Sequence, residues 1–246
     1  MARSESNELE QGLEELRLTR MVTILRDRLR LASDQNWSSR RLLKDLVEEE
    51  LASRREKALA GRIRRAGLPD KWTLETFPFD RQPGVDKKHM YELAELDWIR
   101  QAINIVFMGP TGVGKSGLAS SLLMKALLGG FTGLMMRTQD ILNTLHESIA
   151  DRKTKHLLNR FSKIDVLVLD ELGYLTLNND QCNLFFKLMD NRHLARKPTL
   201  ITTNLGYDDW ASNLNNAPMT KALVSRLKQR CKTIVINGPD LRDSQT

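Results

Sequence analysis

Residues 109–116 read Gly-Pro-Thr-Gly-Val-Gly-Lys-Ser, which meets the phosphate-loop pattern G-x-x-x-x-G-K-[ST] at every required position. The chemistry this implies is capture of a nucleoside triphosphate together with Mg²⁺. Gly112 and Gly114 let the backbone turn tightly enough to aim several N–H groups into one anion-sized hollow. Lys115 offers a positive charge to the β- and γ-phosphates, and Ser116 offers a hydroxyl oxygen to the metal. The expected cradle is Gly109, Pro110, Thr111, Gly112, Val113, Gly114, Lys115, Ser116 and Gly117.

A second constellation lies at 164–171 (IDVLVLDE), an apolar run that ends in two acids. A carboxylate at the carboxyl end of a sheet strand stands at the ligand-binding edge. Asp170 is therefore expected to hold Mg²⁺ through water, and Glu171 to orient and deprotonate an attacking water. An acidic pair after a strand says little alone; behind a matching phosphate loop it says much more. Residues 199–204 (TLITTN) form another apolar run with a polar tip. Asn204 is either a turn former, as asparagine often is at strand ends, or a γ-phosphate and water contact. The second reading holds if its strand lies between the other two. Arg226 sits on a late basic helix, where an arginine could serve the γ-phosphate of a neighbouring subunit. Charge alone does not separate it from Lys221, Lys228 or Arg230.

These residues need a scaffold. An apolar, β-branched run at 103–108 precedes the loop, and 117–128 (GLASSLLMKALL) reads as the helix that follows, its dipole adding to the site. Further on, helical and strand patterns alternate. A helix is expected over 88–100, a strand over 133–137, and helical sequence over 139–162 in two pieces. Then come a strand at 166–169, a helix within 180–196, a strand at 199–202, a helix over 217–230 and a strand at 233–236. Such alternation predicts an α/β fold with a parallel sheet flanked by helices.

Residues 1–68 read differently, as a small all-helical N-terminal domain. Leu9, Leu13, Leu16, Met21 and Leu25 make one stripe, the break at 34–39 offers Ser38 as a helix cap with Trp37 stapled onto Leu42, and apolar residues recur from Leu42 to Ile63. Gly67 and Pro69 end the helix. Its last part carries Arg54, Arg55, Lys57, Arg62, Arg64 and Arg65, with Lys71 beyond, against Glu56 and Asp70. Those charges form either a phosphate-contacting face or a solvated one. Residues 69–85, with three prolines, read as a linker or irregular loop, and 86–246 as the nucleotide-binding domain.

The 246 residues carry a net charge of +7, which favours an anionic polymer partner without requiring one. No stretch approaches the roughly 18–20 consecutive apolar residues of a membrane span, and the polar N-terminus has no signal-peptide pattern. With Cys182 and Cys231 expected as buried free thiols, the reading is a cytoplasmic protein away from membranes.

Three short motifs then converge. The acid pair is followed by Leu172-Gly-Tyr-Leu175, the polar tip is Ile201-Thr-Thr-Asn204-Leu, and the late helix contains Ser225-Arg226-Leu227. Together they resemble the AAA+ ATPases of the DnaA/DnaC clade, and within it the IstB-like transposition-helper ATPases of insertion sequences. The front agrees: Arg54-Arg55, Ala66-Gly-Leu-Pro69, Thr73-Leu-Glu-Thr-Phe77, Phe79-Asp80 and Gln82-Pro-Gly84 fit the same family. The likeness runs from about residue 13 to 242. It implies ATP as nucleotide, largely sequence-independent binding of duplex DNA, homo-oligomers and a transposase partner. It also implies Asn204 as sensor, Arg226 as arginine finger, and a clade-specific helical insertion at about 139–160. Arg137, Arg152, Lys153 and Lys155 in and beside that insertion are candidates for DNA backbone contact or for a solvated face.

Two departures stand out. The family has Thr then His after the loop lysine, where this chain has Ser116 and Gly117, and the chain stops at Thr246, too early for a C-terminal helical lid domain. Arg242 is the late candidate for a second sensor. A helicase loader of the DnaC type is the alternative, and a metabolic kinase the third reading, though no acceptor lid is visible in the sequence.

Overall fold

The computed structural model describes residues 2–69, 72–173, 177–210, 214 and 217–242. They form two compact units, Met1–Gly61 and Arg62–Thr246.

The first unit contains α1 (Ala2–Glu15), α2 (Thr19–Asp34) and most of α3 (Ser39–Arg65). Met21, Leu25 and Leu46 are its core, with Leu13, Leu18, Ile24 and Leu42 packed around them. Ser38 does precede α3, and its Oγ accepts from the Arg41 amide at 3.3 Å. Trp37 carries the Arg41 guanidinium 4.2 Å above its ring. α2 has no side-chain cap of its own. The buried Glu50 of α3 supplies one, accepting from the Arg20 and Met21 amides at 2.8 and 3.1 Å.

The second unit is a five-stranded parallel sheet in the order β2-β3-β4-β1-β5. The strands are β1 (Asn104–Met108), β2 (Gly133–Arg137), β3 (Val166–Leu172), β4 (Thr199–Thr203) and β5 (Cys231–Val235). The crossovers run through α6 (Lys115–Leu128), α7 (Thr138–Glu147), α8 (Thr154–Lys163), α9 (Asn179–Leu194) and α10 (Ala217–Gln229). Side chains on a strand alternate between faces, and the sheet accordingly separates two cores. Ile105, Phe107, Val166 and Val168 pack with α6 on one side; Val106, Leu167, Leu169 and Ile201 pack with α7 to α10 on the other.

The helix expected over 88–100 is broken in two, α4 (Lys87–Ala94) and α5 (Asp97–Arg100), because Leu96 takes a left-handed φ of 68° between them. β3 is longer than its apolar run predicts and takes in Asp170 and Glu171. The segment read as a linker is irregular, with one 3₁₀ turn at Phe79–Arg81, yet Leu74, Phe77 and Val85 are buried in the α6 core. It is a strap drawn over the phosphate loop, held by apolar area that its prolines do not prevent it from burying. Among the described residues no helix is long and apolar enough to cross a membrane.

Candidate nucleotide site

The phosphate loop leaves β1 and enters α6 through Gly112 and Gly114, whose φ values of +82° and +93° are ones that L side chains rarely adopt. Gly114 is the N-cap of α6, so the open N–H groups of the first helical turn face the hollow. Lys115 Nζ folds back to donate to the carbonyls of Gly109 and Pro110 at 2.8 and 2.5 Å. Partial burial pushes its pKa down and the Arg242 cation nearby adds to this, while Asp170 and Glu171 oppose it. The ammonium thus sits over its own loop with acceptors that an anion would outcompete.

The acid pair lies directly opposite. Asp170, 9% exposed, accepts at Oδ1 from the Ser116 hydroxyl at 2.8 Å and from the Thr202 hydroxyl at 2.5 Å. Three oxygens from three elements meet there. One carboxylate and two hydroxyls suit a hard, octahedral cation that keeps several waters, which is how Mg²⁺ binds beside phosphates. Among the described residues no cluster of three His, Cys, Asp or Glu side chains offers a closed metal cage.

Glu171 is swung out of the strand. It has a left-handed φ of 58°, and the β3–β4 register slips between Leu169 and Leu172. Such a bulge re-aims a side chain at a sheet edge. The Glu171 amide donates to Thr202 Oγ1 at 2.9 Å, so Thr202 fixes both acids. The Glu171 carboxylate reaches Arg137 Nε at 3.5 Å, half-exposed.

β4 does lie between β1 and β3. Asn204, one residue past its end, is therefore carried to the same edge. Gly173 makes room for it: a Cβ there would lie 2.4 Å from Asn204 Oδ1, at a backbone φ of 141°. Tyr174 and Leu175 of the ELGYL motif lie outside the described residues. Lys115, Ser116, Asp170, Glu171 and Asn204 all line one cleft of about 750 Å³.

Not every expected site residue comes to this cleft. Arg226, on α10, forms an ion pair with Asp190 of α9 and lines a separate cavity of about 370 Å³. Arg137 lines the nucleotide cleft at the end of β2, whereas Arg152, Lys153 and Lys155 are exposed around the α7–α8 turn. Arg242 does line the cleft. It arrives on a C-terminal segment laced over the loop. The Leu241 amide donates to the Gly112 carbonyl at 3.0 Å, and the fully buried Gln82 donates to both Val113 and Pro239 carbonyls at 3.1 Å. Neither Gln82 nor Thr202 stood out as a site residue in the sequence. Thr202 had a signal, a hydroxyl inside an apolar strand; Gln82 entered only through the family likeness of Gln82-Pro-Gly84.

The IstB-like ATP binding protein family matches residues 11–246. The chain belongs to that family. A protein of insertion sequence IS21 from Pseudomonas aeruginosa, named for ATP binding, is 32% identical over 96% of this chain and 89% of its own length. One from insertion sequence IS5376 of Geobacillus stearothermophilus is 30% identical over 86% and 84%. Among solved structures, the DnaC helicase loader superposes with a TM-score of 0.58 at 24% identity, covering 68% of this chain and 97% of that one. AMPPCP-bound DnaA from Aquifex aeolicus gives 0.57 at 20% identity, over 69% and 51%. At those identities the likeness is one of fold, and this IstB-like chain has the AAA+ fold of DnaC and DnaA.

Proposed function

We propose that this IstB-like chain is a cytoplasmic, Mg²⁺-dependent ATPase that assembles on duplex DNA and recruits or stimulates the transposase of an insertion sequence. The observation that carries the reading is the split site. Lys115, Ser116, Asp170, Glu171 and Asn204 share one cleft, while Arg226 stands at another cavity.

In this reading the amides of 109–117 and Lys115 hold the β- and γ-phosphates. Ser116 and Asp170 hold the Mg²⁺, which neutralises charge on the phosphates. Glu171 takes the proton of the attacking water, and Asn204 fixes that water and the γ-phosphate. Arg226 of one copy completes the site of the next, so that ATP acts as a clasp between protomers and its hydrolysis releases them. Exposed Arg152, Lys153 and Lys155 face the DNA backbone, where contacts set affinity and carry no sequence preference. Residues 1–68 form the N-terminal helical domain and 86–246 the ATPase domain.

The test is size exclusion with an ATP analogue and duplex DNA. Glu171→Gln is expected to bind ATP, accumulate on DNA as an oligomer and fail to turn over. A chain that stays monomeric under all conditions, or a Glu171→Gln variant that hydrolyses ATP at the parental rate, rejects the proposal. A helicase loader is the second reading, favoured by the superposition on DnaC. Pull-down of a replicative helicase in place of a transposase would select it.

A further inference from the structure

We infer that Trp72 is the wall against which the base of the bound nucleotide stacks, which makes the site prefer a purine. This rests on the nucleotide reading of the cleft and adds the end of the ligand that the loop does not touch.

The two ends of the cleft differ. Asp170, Glu171 and Asn204 mark the end where a γ-phosphate and its water belong, so sugar and base must leave by the other. Ser116 faces Asp170. Gly117 is the next residue, about 100° around the helix at 3.6 residues per turn, and it faces Trp72. A methyl group on Gly117 would lie 3.3 Å from Cδ2 and Cε3 of the indole. The indole therefore rests on bare backbone in the first turn of α6. Below, it packs onto the α6 core, with the Phe77 ring 6.4 Å away and tilted by 54°. It remains half-buried and lines the cleft, with Pro69, Met135 and Met136 also on the wall. A flat ring braced from behind and exposed to the cleft is what a nucleobase face needs: stacking requires π-surface and no particular hydrogen bond, and a two-ring purine offers more of that surface than a pyrimidine.

The test separates base from phosphates. ATP, CTP and inorganic tripolyphosphate are titrated calorimetrically into the full chain and into Trp72→Ala and Trp72→Leu. The parent is expected to bind ATP and tripolyphosphate and to favour ATP over CTP. Both variants are expected to weaken ATP on the order of tenfold, to lose the preference over CTP, and to leave tripolyphosphate unchanged. Trp72→Leu keeps an apolar brace over Gly117, so a parental ATP affinity in that variant overturns the inference. So does a parallel loss of ATP and tripolyphosphate in both variants, which would make Trp72 a brace for the loop alone. If the parent binds neither ligand, the nucleotide reading itself fails.

Discussion

The nucleotide cleft and the α9–α10 face are built on opposite plans. In the cleft, groups from the phosphate loop, α6, β3, β4 and the C-terminal segment converge and hold one another: Ser116 and Thr202 both donate to Asp170, and Gln82 ties the loop to the C-terminal segment. At the α9–α10 face one arginine is held by one aspartate, both substantially exposed. Preorganised groups cost nothing to arrange at the moment of reaction, whereas an exposed ion pair is held weakly and exchanges partners readily. The first plan suits a site that must always accept its ligand, the second a group that stays free to change partners.

That contrast can be broken at several points. The largest effect is expected for Arg226→Ala: if Arg226 acts as the proposed arginine finger, nucleotide binding is unchanged and DNA-stimulated turnover falls on the order of a thousandfold. Mixing Arg226→Ala with Lys115→Ala chains should restore part of the turnover, because one supplies an intact cleft and the other an intact arginine. No recovery in a coupled phosphate-release assay would mean that the two faces do not meet. Lys115→Ala alone is expected to weaken ATP by about tenfold to a hundredfold, the worth of a charge-assisted contact, read by calorimetry.

Thr202→Val sharpens the preorganised side. It removes a donor to buried Asp170 and leaves the Glu171 amide without its acceptor, so a loss of about 1–3 kcal/mol is expected in denaturant unfolding, with weakened Mg²⁺ dependence of turnover. The smallest effect concerns the strap. Lys125 donates to Glu75 at 2.6 Å and, with backbone and Thr73 hydrogen bonds, holds the Glu75 carboxyl at about 2, well below its ordinary value. A depressed carboxyl contributes stability above its unfolded pKa and loses it as the pH falls toward the folded one. Glu75→Gln should therefore flatten the decline of Tm between about pH 4.5 and 2 by a small margin, since the pair is on the surface.

Much of this was legible because it is local. The phosphate loop needs a strand, a glycine-rich turn and a helix in immediate succession, and 103–128 shows all three. The acid pair at the end of an apolar run likewise announces its own position at a sheet edge. Less legible was anything that depends on a distant partner. Pro78 and Pro83 marked 69–85 as irregular, but irregular backbone says nothing about burial, and the burial of Leu74 and Phe77 depends on α6. Arg137 looked like the other basic residues near the helical insertion, yet the β2–β3 register sets it beside Asp170 and within reach of Glu171.

The sequence by itself determined the ligand class, the alternating fold and, through its motifs, the family, because each is written in residues close together along the chain. Only the tertiary structure decided that β4 lies between β1 and β3, that Thr202 anchors both acids, that Trp72 covers Gly117, and that Arg226 pairs with Asp190 at a separate cavity. Those facts come from strand order and packing between residues far apart in sequence, and periodicity carries no record of which strand will be a neighbour.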